Sequence, residues 1–197
     1  MAQRTFPVMV DCQGYDVKPS IIPGEVGKVR KRMQREQPRM MTSTDLLALI
    51  SAGHAWQPGC YRKGEFVGQQ VYGLDFDKPE LLMPDQALAV LDKLGLFSTA
   101  SFVYFTYTAT PDRPKYRLVL VDDEPTKEFG LAKDRLGRLL GLFPEADQAC
   151  KDPNRMFFGT DGRFQAWDID AYMGGEDIEP AGHHPDTSEG HEARQRP

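Results

Sequence analysis

The sequence predicts an α+β fold, in which helices pack against a largely antiparallel sheet. Apolar residues recur at helical spacing in three segments, 42–53, 83–95 and 126–143. Two runs rich in β-branched and aromatic residues, SFVYFTYTAT and KYRLVLV, are joined by PDRP, which predicts a hairpin. The order of helix, strand, helix, hairpin, helix and strand, with no internal repeat, favours this fold class.

Local signals justify the individual elements in chain order. RTFPVMVD is a candidate for a short strand. TSTDLLALISAG is predicted to be a helix, with Ser or Thr as N-cap, Asp45 in the first turn and Gly53 as a stop. QQVYGLDFD is an apolar strand that ends in two carboxylates, and MPDQALAVLDKLG has the spacing of an amphipathic helix. RMFFGT and RFQAWDID are short strand candidates after the last helix.

Length and composition predict one ordinary domain with its own core, since the chain has 197 residues and is 40% hydrophobic. No segment approaches the roughly 20 apolar residues that span a bilayer, and the N-terminus lacks the apolar run of a signal peptide. We therefore expect a soluble, cytoplasmic protein with no membrane partner. Cys12, Cys60 and Cys150 form no C-x-x-C pair, so we expect reduced, structural cysteines.

Charge is unevenly distributed along the chain. The net charge is −5, but residues 175–197 carry six acidic residues and two arginines, so the remainder sums to −1. The segment 28–39 carries six basic residues and one glutamate. It is either a solvated face or flexible arm, or an element that contacts the phosphates of a nucleic acid. The candidate nucleic-acid contacts are Lys28, Arg30, Lys31, Arg32 and Arg35.

Two carboxylates, Asp75 and Asp77, end the strand QQVYGLDFD and share one face of it, because strand side chains alternate. Like charges this close repel unless a positive group lies between them. Pairing with Lys78 or with an arginine is one solution. The other is a Mg²⁺ or Mn²⁺ ion held by both aspartates and a further carboxylate, for which Asp147 and Asp152 are available downstream.

Several reaction types have no support in the sequence. It contains no Ser-His-Asp ordering, nucleophile elbow, Walker loop or H-E-x-x-H motif. A glycosyltransferase whose D-x-D pair holds a metal and a nucleotide-sugar is one alternative. Those enzymes usually place a longer nucleotide-binding region ahead of the motif, whereas 74 residues precede Asp75 here.

GLDFD, TYTATPDRPKYRLVL and DQACKDPNRMFFGT, in this order and spacing, resemble the catalytic core of the archaeo-eukaryotic primase superfamily. The similarity is greatest to the primase-polymerase-like domains of phage and plasmid replication proteins, and it covers approximately residues 45–165. It implies a modified RNA-recognition-type antiparallel sheet packed with helices. We expect an N-terminal extension with the basic segment (1–41), a single primase-polymerase-like catalytic domain (42–174) and a polar acidic tail or linker (175–197).

The resemblance also implies roles for individual residues. Asp75 and Asp77 correspond to the metal-binding acids, and the third acid falls on Asp147, with Asp152 as the alternative. The family's second motif leads us to expect a histidine at the position of Ala109. A methyl group can neither donate to a triphosphate nor transfer a proton, so other groups must do this work. The candidate nucleotide-binding residues are Thr108, Thr110, Lys115, Arg117 and Arg155.

The expected function is that of a metal-dependent nucleotidyltransferase in phage or plasmid DNA replication. A 3′ hydroxyl would attack the α-phosphate of a nucleoside triphosphate on a single-stranded DNA template, with Mg²⁺ or Mn²⁺ as cofactor and a replicative helicase as a further partner. The template would cross the segment 28–39 or the helix that carries Lys133, Arg135 and Arg138. The alternative is a catalytically degenerate primase-like module that binds nucleic acid during replication initiation.

Overall fold

Seven strands and four α-helices make up the part of the chain that the computed structural model describes. That part comprises residues 4–78, 82–95, 101–110, 112–113 and 115–160. The strands are β1 (Phe6–Val10), β2 (Arg39–Met41), β3 (Trp56–Gln57), β4 (Cys60–Arg62), β5 (Glu65–Phe76), β6 (Phe102–Phe105) and β7 (Tyr116–Thr126). The helices are α1 (Glu25–Met33), α2 (Ser43–Ser51), α3 (Pro84–Lys93) and α4 (Phe129–Leu142), with 3-10 turns at Pro19–Ile21 and Gln148–Lys151.

The strands form two antiparallel sheets, which confirms the α+β prediction. The smaller sheet has the order β2-β1-β3, and the larger has the order β4-β5-β7-β6. The long strands β5 and β7 lie at the centre of the larger sheet, and the predicted hairpin is the β6-β7 pair. Strand β1 packs against β5, so both sheets contribute to one main core. None of the helices in the described ranges is long and apolar enough to cross a membrane.

One face of the larger sheet is covered by α3 and α4. Phe76 and Tyr116 are cross-strand neighbours whose rings stack at 4.6 Å, and the edge of Phe143, directly after α4, meets Phe76 at 5.9 Å. The Tyr116 hydroxyl donates to the carbonyl of Leu82, just before α3. Burial of these aromatic rings, together with the apolar faces of both helices, supplies much of the hydrophobic stabilisation of the fold.

The opposite face of the sheet is covered by two stacked rings. Trp56 and Phe157 stack at 4.9 Å, and their backbones form an antiparallel bridge. Both rings lie on Gly73 in the middle of β5, where an added Cβ would be 2.7 Å from Phe157. Glycine is therefore required at position 73 for space rather than for backbone conformation.

Helix α2 begins and ends where the sequence predicts. The Thr42 hydroxyl accepts from the Asp45 amide at 3.1 Å, and the Asp45 carboxylate accepts from the Thr42 amide at 3.1 Å. The Thr42 hydroxyl also donates to the Asp45 carboxylate at 2.7 Å, and this hydrogen bond, followed by the one from the Thr42 amide, lowers the pKa of Asp45. Gly53, with φ of +80°, ends the helix, and a side chain there would collide with the backbone of Tyr15.

The first half of the basic segment lies in α1, which is buried on one side and exposed on the other. Val29 and Met33 are buried in a second apolar cluster with Met9, Tyr15 and Ala55. β1, from the same N-terminal region, contributes Phe6, Val8 and Val10 to the main core.

A network of charged side chains holds α1 against the chain that follows β1. Asp11 is fully buried, and both of its carboxylate oxygens accept from Arg32, at 2.8 and 2.7 Å. Arg32 also contacts Glu25 and the Tyr15 hydroxyl, and that hydroxyl donates to Glu25 at 2.7 Å. The Tyr15 hydrogen bond, followed by that of Lys28, lowers the pKa of Glu25 to about 2.

Two predicted elements differ in the structure. The segment 126–143 is helical only from Phe129, because Thr126 still pairs with Gln69 and its hydroxyl meets that of Tyr72. RMFFGT forms a single bridge through Phe157 rather than a strand, since this segment packs across the sheet instead of extending it. The candidate strand RFQAWDID and the tail 175–197 lie outside the described residues.

We predict that Gly73→Ala destabilises the protein by roughly 1–3 kcal/mol, because the methyl group must displace the Phe157 ring. Gly137→Ala is the matched control, since an added Cβ there meets nothing within 4 Å and lies inside α4. This control should be neutral or stabilising by up to roughly 1 kcal/mol. Urea unfolding of both variants measures the difference, and equal effects would contradict the packing at Gly73.

A second prediction concerns the pH dependence that Glu25 confers. Its pKa is about 2 in the folded protein against an ordinary value of 4.5, so its carboxylate stabilises the fold above about pH 4.5 and loses this effect as the pH falls towards 2. The difference in unfolding free energy between the wild type and Glu25→Gln should therefore shrink over that interval. Glu65→Gln, at the exposed start of β5, is the control. A difference that stays constant from neutral to acidic pH would refute the role of Glu25.

Candidate functional site

The candidate site is built on one row of side chains that crosses three strands. Asp75 of β5 pairs with Arg117 of β7, and Arg117 pairs with Tyr104 of β6. All three residues are buried, with Asp75 8% and Arg117 5% exposed. They lie on the face that carries Trp56 and Phe157, near the end of β5, so the sheet fixes their positions rigidly.

Asp75 and Arg117 form a buried ion pair, with Oδ1 3.3 Å from Nε. The geometry of this contact is not that of a hydrogen bond, and neither atom has a hydrogen-bond partner within the described residues. A buried carboxylate oxygen without a donor is costly, so this oxygen remains available to a further cation or donor.

Arg117 is held by aromatic rings and by carbonyl and hydroxyl oxygens. Its Nη1 donates to the Tyr104 hydroxyl at 3.0 Å and to the Phe158 carbonyl. Its guanidinium lies 5.5 Å from the Tyr104 ring centre and 5.3 Å from that of Phe157. Burial lowers the pKa of Arg117, but the charges of Tyr104 and Asp75 outweigh burial, so the pKa is raised overall. Arg117, predicted to bind nucleotide, is thus chiefly a partner of Asp75.

Asp147 lies beside Asp75, although 71 positions separate them in the sequence. The Asp147 amide donates to the Asp75 carbonyl at 2.8 Å. The two carboxylates also share Arg155, whose Nη2 lies 2.7 Å from Asp147 Oδ2 and 3.5 Å from Asp75 Oδ2. Arg155, predicted to contact a triphosphate or template, is therefore placed between two of the predicted metal ligands.

Asp77 lies one residue beyond the end of β5, and its side chain is exposed. Its carbonyl accepts from Arg113 at 3.1 Å, which joins the strand end to the turn of the hairpin. Lys78 donates to the carbonyls of Pro144 and Ala146 rather than to Asp75 or Asp77. Of the two pairings considered from the sequence, the one with an arginine is present, because Asp75 pairs with Arg117 and Arg155.

The hairpin turn presents Thr108 and Thr110 to solvent near Asp77. The Thr110 hydroxyl accepts from the Arg113 amide at 3.1 Å, so it shapes the turn that also carries the Arg113 contact to Asp77. Ala109 is 6% exposed and contributes its methyl group to the packing of the turn. A larger side chain at this position would have to displace its neighbours.

Lys18 is a residue of the site that the sequence did not indicate. Lys18 is half-buried and directly precedes the Pro19–Ile21 turn. It lies 57 positions before Asp75 in the sequence. Burial lowers the pKa of Lys18, the charges of Arg117 and Lys115 lower it further, and Asp75 and Asp77 oppose them. These side chains therefore form one mixed group of acids and cations, which includes the predicted nucleotide contact Lys115. Only the tertiary structure brings Lys18 to it.

The predicted alternative acid, Asp152, has a separate environment. Its Oδ1 accepts from the Asn154 amide at 2.9 Å and so caps its own turn. Burial, and secondarily the charge of Asp152, raise the pKa of the Tyr61 hydroxyl to about 12. Asp147 is thus the acid that the structure places against Asp75.

The predicted nucleic-acid contacts on α1 differ in their availability. Arg32 is engaged with Asp11 and Lys28 with Glu25, at 2.7 and 2.9 Å respectively. Arg30, Lys31 and Arg35 are exposed, as is Lys28 despite its ion pair. On α4, Arg135 is paired with Asp122 at 2.8 Å, whereas Lys133 and Arg138 are exposed.

A divalent cation can be tested against these donors. Asp75, Asp147 and Asp77 offer carboxylate oxygens, which are the ligands that Mg²⁺ and Mn²⁺ prefer, and Asp75 Oδ1 lacks a hydrogen-bond donor. As they stand, no three acidic, histidine or cysteine side chains in the described ranges are close enough to hold a metal. The types of oxygen donor thus suit such a cation, whereas their present spacing does not. Arg155 must leave the space between Asp75 and Asp147 before a cation can bind there.

Comparison with known proteins yields no relatives. No protein-family model matches the chain, and no curated protein or solved structure is significantly similar to it.

We predict that Arg117→Met destabilises the fold by roughly 3–5 kcal/mol, because it leaves the Asp75 carboxylate buried without its main partner. The double variant Asp75→Asn, Arg117→Met should recover part of this loss. Arg62→Met, at an exposed arginine of β4, is the control and should change stability by less than about 0.5 kcal/mol. Additive effects of the two substitutions in urea unfolding would show that the ion pair carries no coupling energy.

Proposed function

We propose that this chain is a metal-dependent nucleotidyltransferase of the primase-polymerase type, which makes or extends a primer on a single-stranded DNA template in phage or plasmid replication. The observation that carries the proposal is the mixed group of charges at the end of β5. Asp75 and Asp147 share Arg155, Asp77 follows Asp75 at the exposed end of β5, and Lys18 lies in the field of Asp75, Asp77 and Lys115, so acids and cations are grouped at one end of a rigid sheet. A nucleoside triphosphate with a divalent cation requires both kinds of group close together.

The topology supports the RNA-recognition-type sheet that the sequence resemblance implies. The segment β5-α3-β6-β7-α4 has the order of a β-α-β-β-α unit, and its strands lie in the order β5-β7-β6. Residues that pack with both helices lie on one face, and Asp75 lies on the other. The candidate site thus lies on the face opposite α3 and α4, which is the face that binds nucleic acid in RNA-recognition-type sheets, although Trp56 and Phe157 occupy part of it here.

Asp75, Asp77 and Asp147 are the residues that would hold Mg²⁺ or Mn²⁺. When bound, the cation supplies charge neutralisation at the phosphates and lowers the pKa of the attacking hydroxyl. Arg117 fixes the direction of the Asp75 carboxylate through the buried ion pair. Arg155 is 25% exposed and close to both carboxylates, so it can turn towards an incoming phosphate when a cation replaces it.

The phosphates of the substrate would be bound by the remaining cations. Lys18 is half-buried and its ammonium lies in the field of Arg117 and Lys115, so an anion placed among them relieves their mutual repulsion. The exposed hydroxyls of Thr108 and Thr110 can donate to phosphate oxygens in place of the histidine that Ala109 replaces. In the reaction a 3′ hydroxyl attacks the α-phosphate, the bond to the β-phosphate breaks, and pyrophosphate leaves.

A second candidate function is a primase-like module that binds nucleic acid without catalysis. The observation that favours it is the position of Arg155, which neutralises Asp75 and Asp147 without any metal. The buried Ala109 favours it as well, because its methyl group can neither donate to a triphosphate nor transfer a proton as the expected histidine would.

The deciding experiment measures incorporation of labelled nucleoside triphosphates on a primed and an unprimed single-stranded template with Mg²⁺ or Mn²⁺. Asp77→Asn is the most informative variant, because Asp77 is exposed at the strand end and its loss should not disturb folding. We expect incorporation to fall by about 10²-fold or more, as when a group that stabilises a transition state is removed. Asp92→Asn, an exposed aspartate on α3, is the matched control and should retain full activity.

The two candidate functions give opposite results in this assay. No incorporation by the wild type with either metal, together with retained binding of single-stranded DNA, would establish the binding module. Equal activity of Asp77→Asn and Asp92→Asn would remove Asp77 from the site.

A further inference from the structure

A large groove lies between α1 and the segment that follows α4. Its volume is about 1080 Å³, and α1 and residues 149–158 contribute to its two walls. Small-molecule pockets usually measure roughly 300–1,000 Å³. The groove is therefore large for a single nucleotide and suits an extended ligand.

The lining of the groove combines apolar and polar side chains in a way that fits unpaired bases. Met156 and Phe158, which are only partly buried, supply apolar and aromatic surface on which the faces of bases can stack. Gln34, Gln57 and Asn154 supply amide groups, each with both donors and an acceptor, which can pair with base edges. A duplex hides these faces and edges, so the lining selects a single strand.

Charge in the groove favours a polyanion. Arg30 and Arg155 line it, against one carboxylate, Asp152, whose Oδ1 is already used by the Asn154 amide. Arg30 is exposed on α1, on the side away from the Arg32 network, and has no ion-pair partner within the described residues. Its guanidinium is thus available to a phosphate.

The groove leads to the candidate site through Arg155. The same side chain lines the groove and lies within 3.5 Å of both Asp75 and Asp147. A strand bound along the groove can therefore contact the same arginine that pairs with the carboxylates at the end of β5. This continuity distinguishes the groove from other basic surfaces, such as the exposed residues Lys133 and Arg138 on α4.

We propose that this groove binds a single-stranded segment of nucleic acid and guides it to Asp75 and Asp147. Its assignment as the template track rests on the proposed function, whereas strand binding itself does not. The proposal also reduces the number of nucleic-acid contacts expected on the basic segment. Arg30 and Gln34 line the groove, whereas Arg32 and Lys28 form ion pairs within the fold.

Oxidation footprinting of the intact protein tests the proposal without any substitution. Met156 lines the groove, whereas Met40 on β2 is 64% exposed and does not line it. A saturating oligodeoxythymidine should slow oxidation of Met156 and leave Met40 unchanged. Absence of this protection, equal protection by a DNA duplex, or equal protection by a nucleoside triphosphate alone would each overturn the proposal.

A pair of charge reversals gives a second test by fluorescence anisotropy with the same oligonucleotide. Arg30→Glu should weaken binding about tenfold more than Arg35→Glu, because only Arg30 lines the groove although both arginines are exposed. Arg30→Glu should also lower the slope of log affinity against log salt by about 0.7, the value for one phosphate contact on a single strand. Equal weakening by the two variants would assign binding to the general charge of the segment and would refute the groove.

The oxidation footprint tests the groove and the incorporation assay tests the enzymatic function, so the results distinguish the failure of one proposal from the failure of the other. Protection of Met156 in a protein that incorporates no nucleotide would support strand binding in the groove and refute the nucleotidyltransferase function. Incorporation without protection of Met156 would keep the enzyme and withdraw the groove.

Discussion

The buried guanidinium of Arg117 is the interaction on which the centre of the molecule depends. A buried cation is tolerated only when several groups compensate its lost hydration, and here these groups come from three other parts of the chain. β5 supplies Asp75, β6 supplies Tyr104, and the segment after α4 supplies the Phe158 carbonyl and the Phe157 ring. The charge on β7 therefore fixes how the C-terminal segment crosses the sheet. Gly73 makes that crossing possible, since any side chain there would exclude the Phe157 ring.

The same crossing determines the chemistry of the candidate site. It brings Asp147 and Arg155 to the end of β5, so that two carboxylates and an arginine share one small volume. In the structure, the charge of Arg155 offsets the repulsion between Asp75 and Asp147. A divalent cation in its place would offset the same repulsion. Arg155 and a divalent cation would thus compete for the same position between the two carboxylates. Under the proposed function, the balance between them would decide whether the chain acts as a nucleotidyltransferase or only binds nucleic acid.

The basic helix α1 illustrates how a run of charge can have two purposes. Arg32 neutralises the fully buried Asp11 and thereby fixes α1 to the chain after β1. Arg30, two positions earlier, points to the groove instead. Because 3.6 residues make one helical turn, positions two apart lie on different sides, and one basic run serves both stability and a surface for an anion.

The sequence by itself determined the elements whose signals are local. The capping box of Thr42 and Asp45, the amphipathic spacing of α3 and α4, and the hairpin of β6 and β7 follow from neighbouring residues, and the structure confirms them. The short strand β1 and the position of Asp75 near a strand end follow from the same kind of signal. Helix α1 was not predicted as such, because its charges obscure the two apolar positions, Val29 and Met33, that anchor it.

Only the tertiary structure decided which charges meet. Arg32 finds Asp11 across 21 positions, and Arg117 finds the Phe158 carbonyl across 41, and no local pattern encodes such pairings. Lys18 could not be recognised because a single lysine beside Pro19 has no motif around it. Arg117 and Arg155 were predicted to serve a nucleotide, yet their contacts in the fold are with Asp75 and Asp147. The physical reason is that burial sets the cost of an unpaired charge, and burial is a property of the folded chain rather than of its letters.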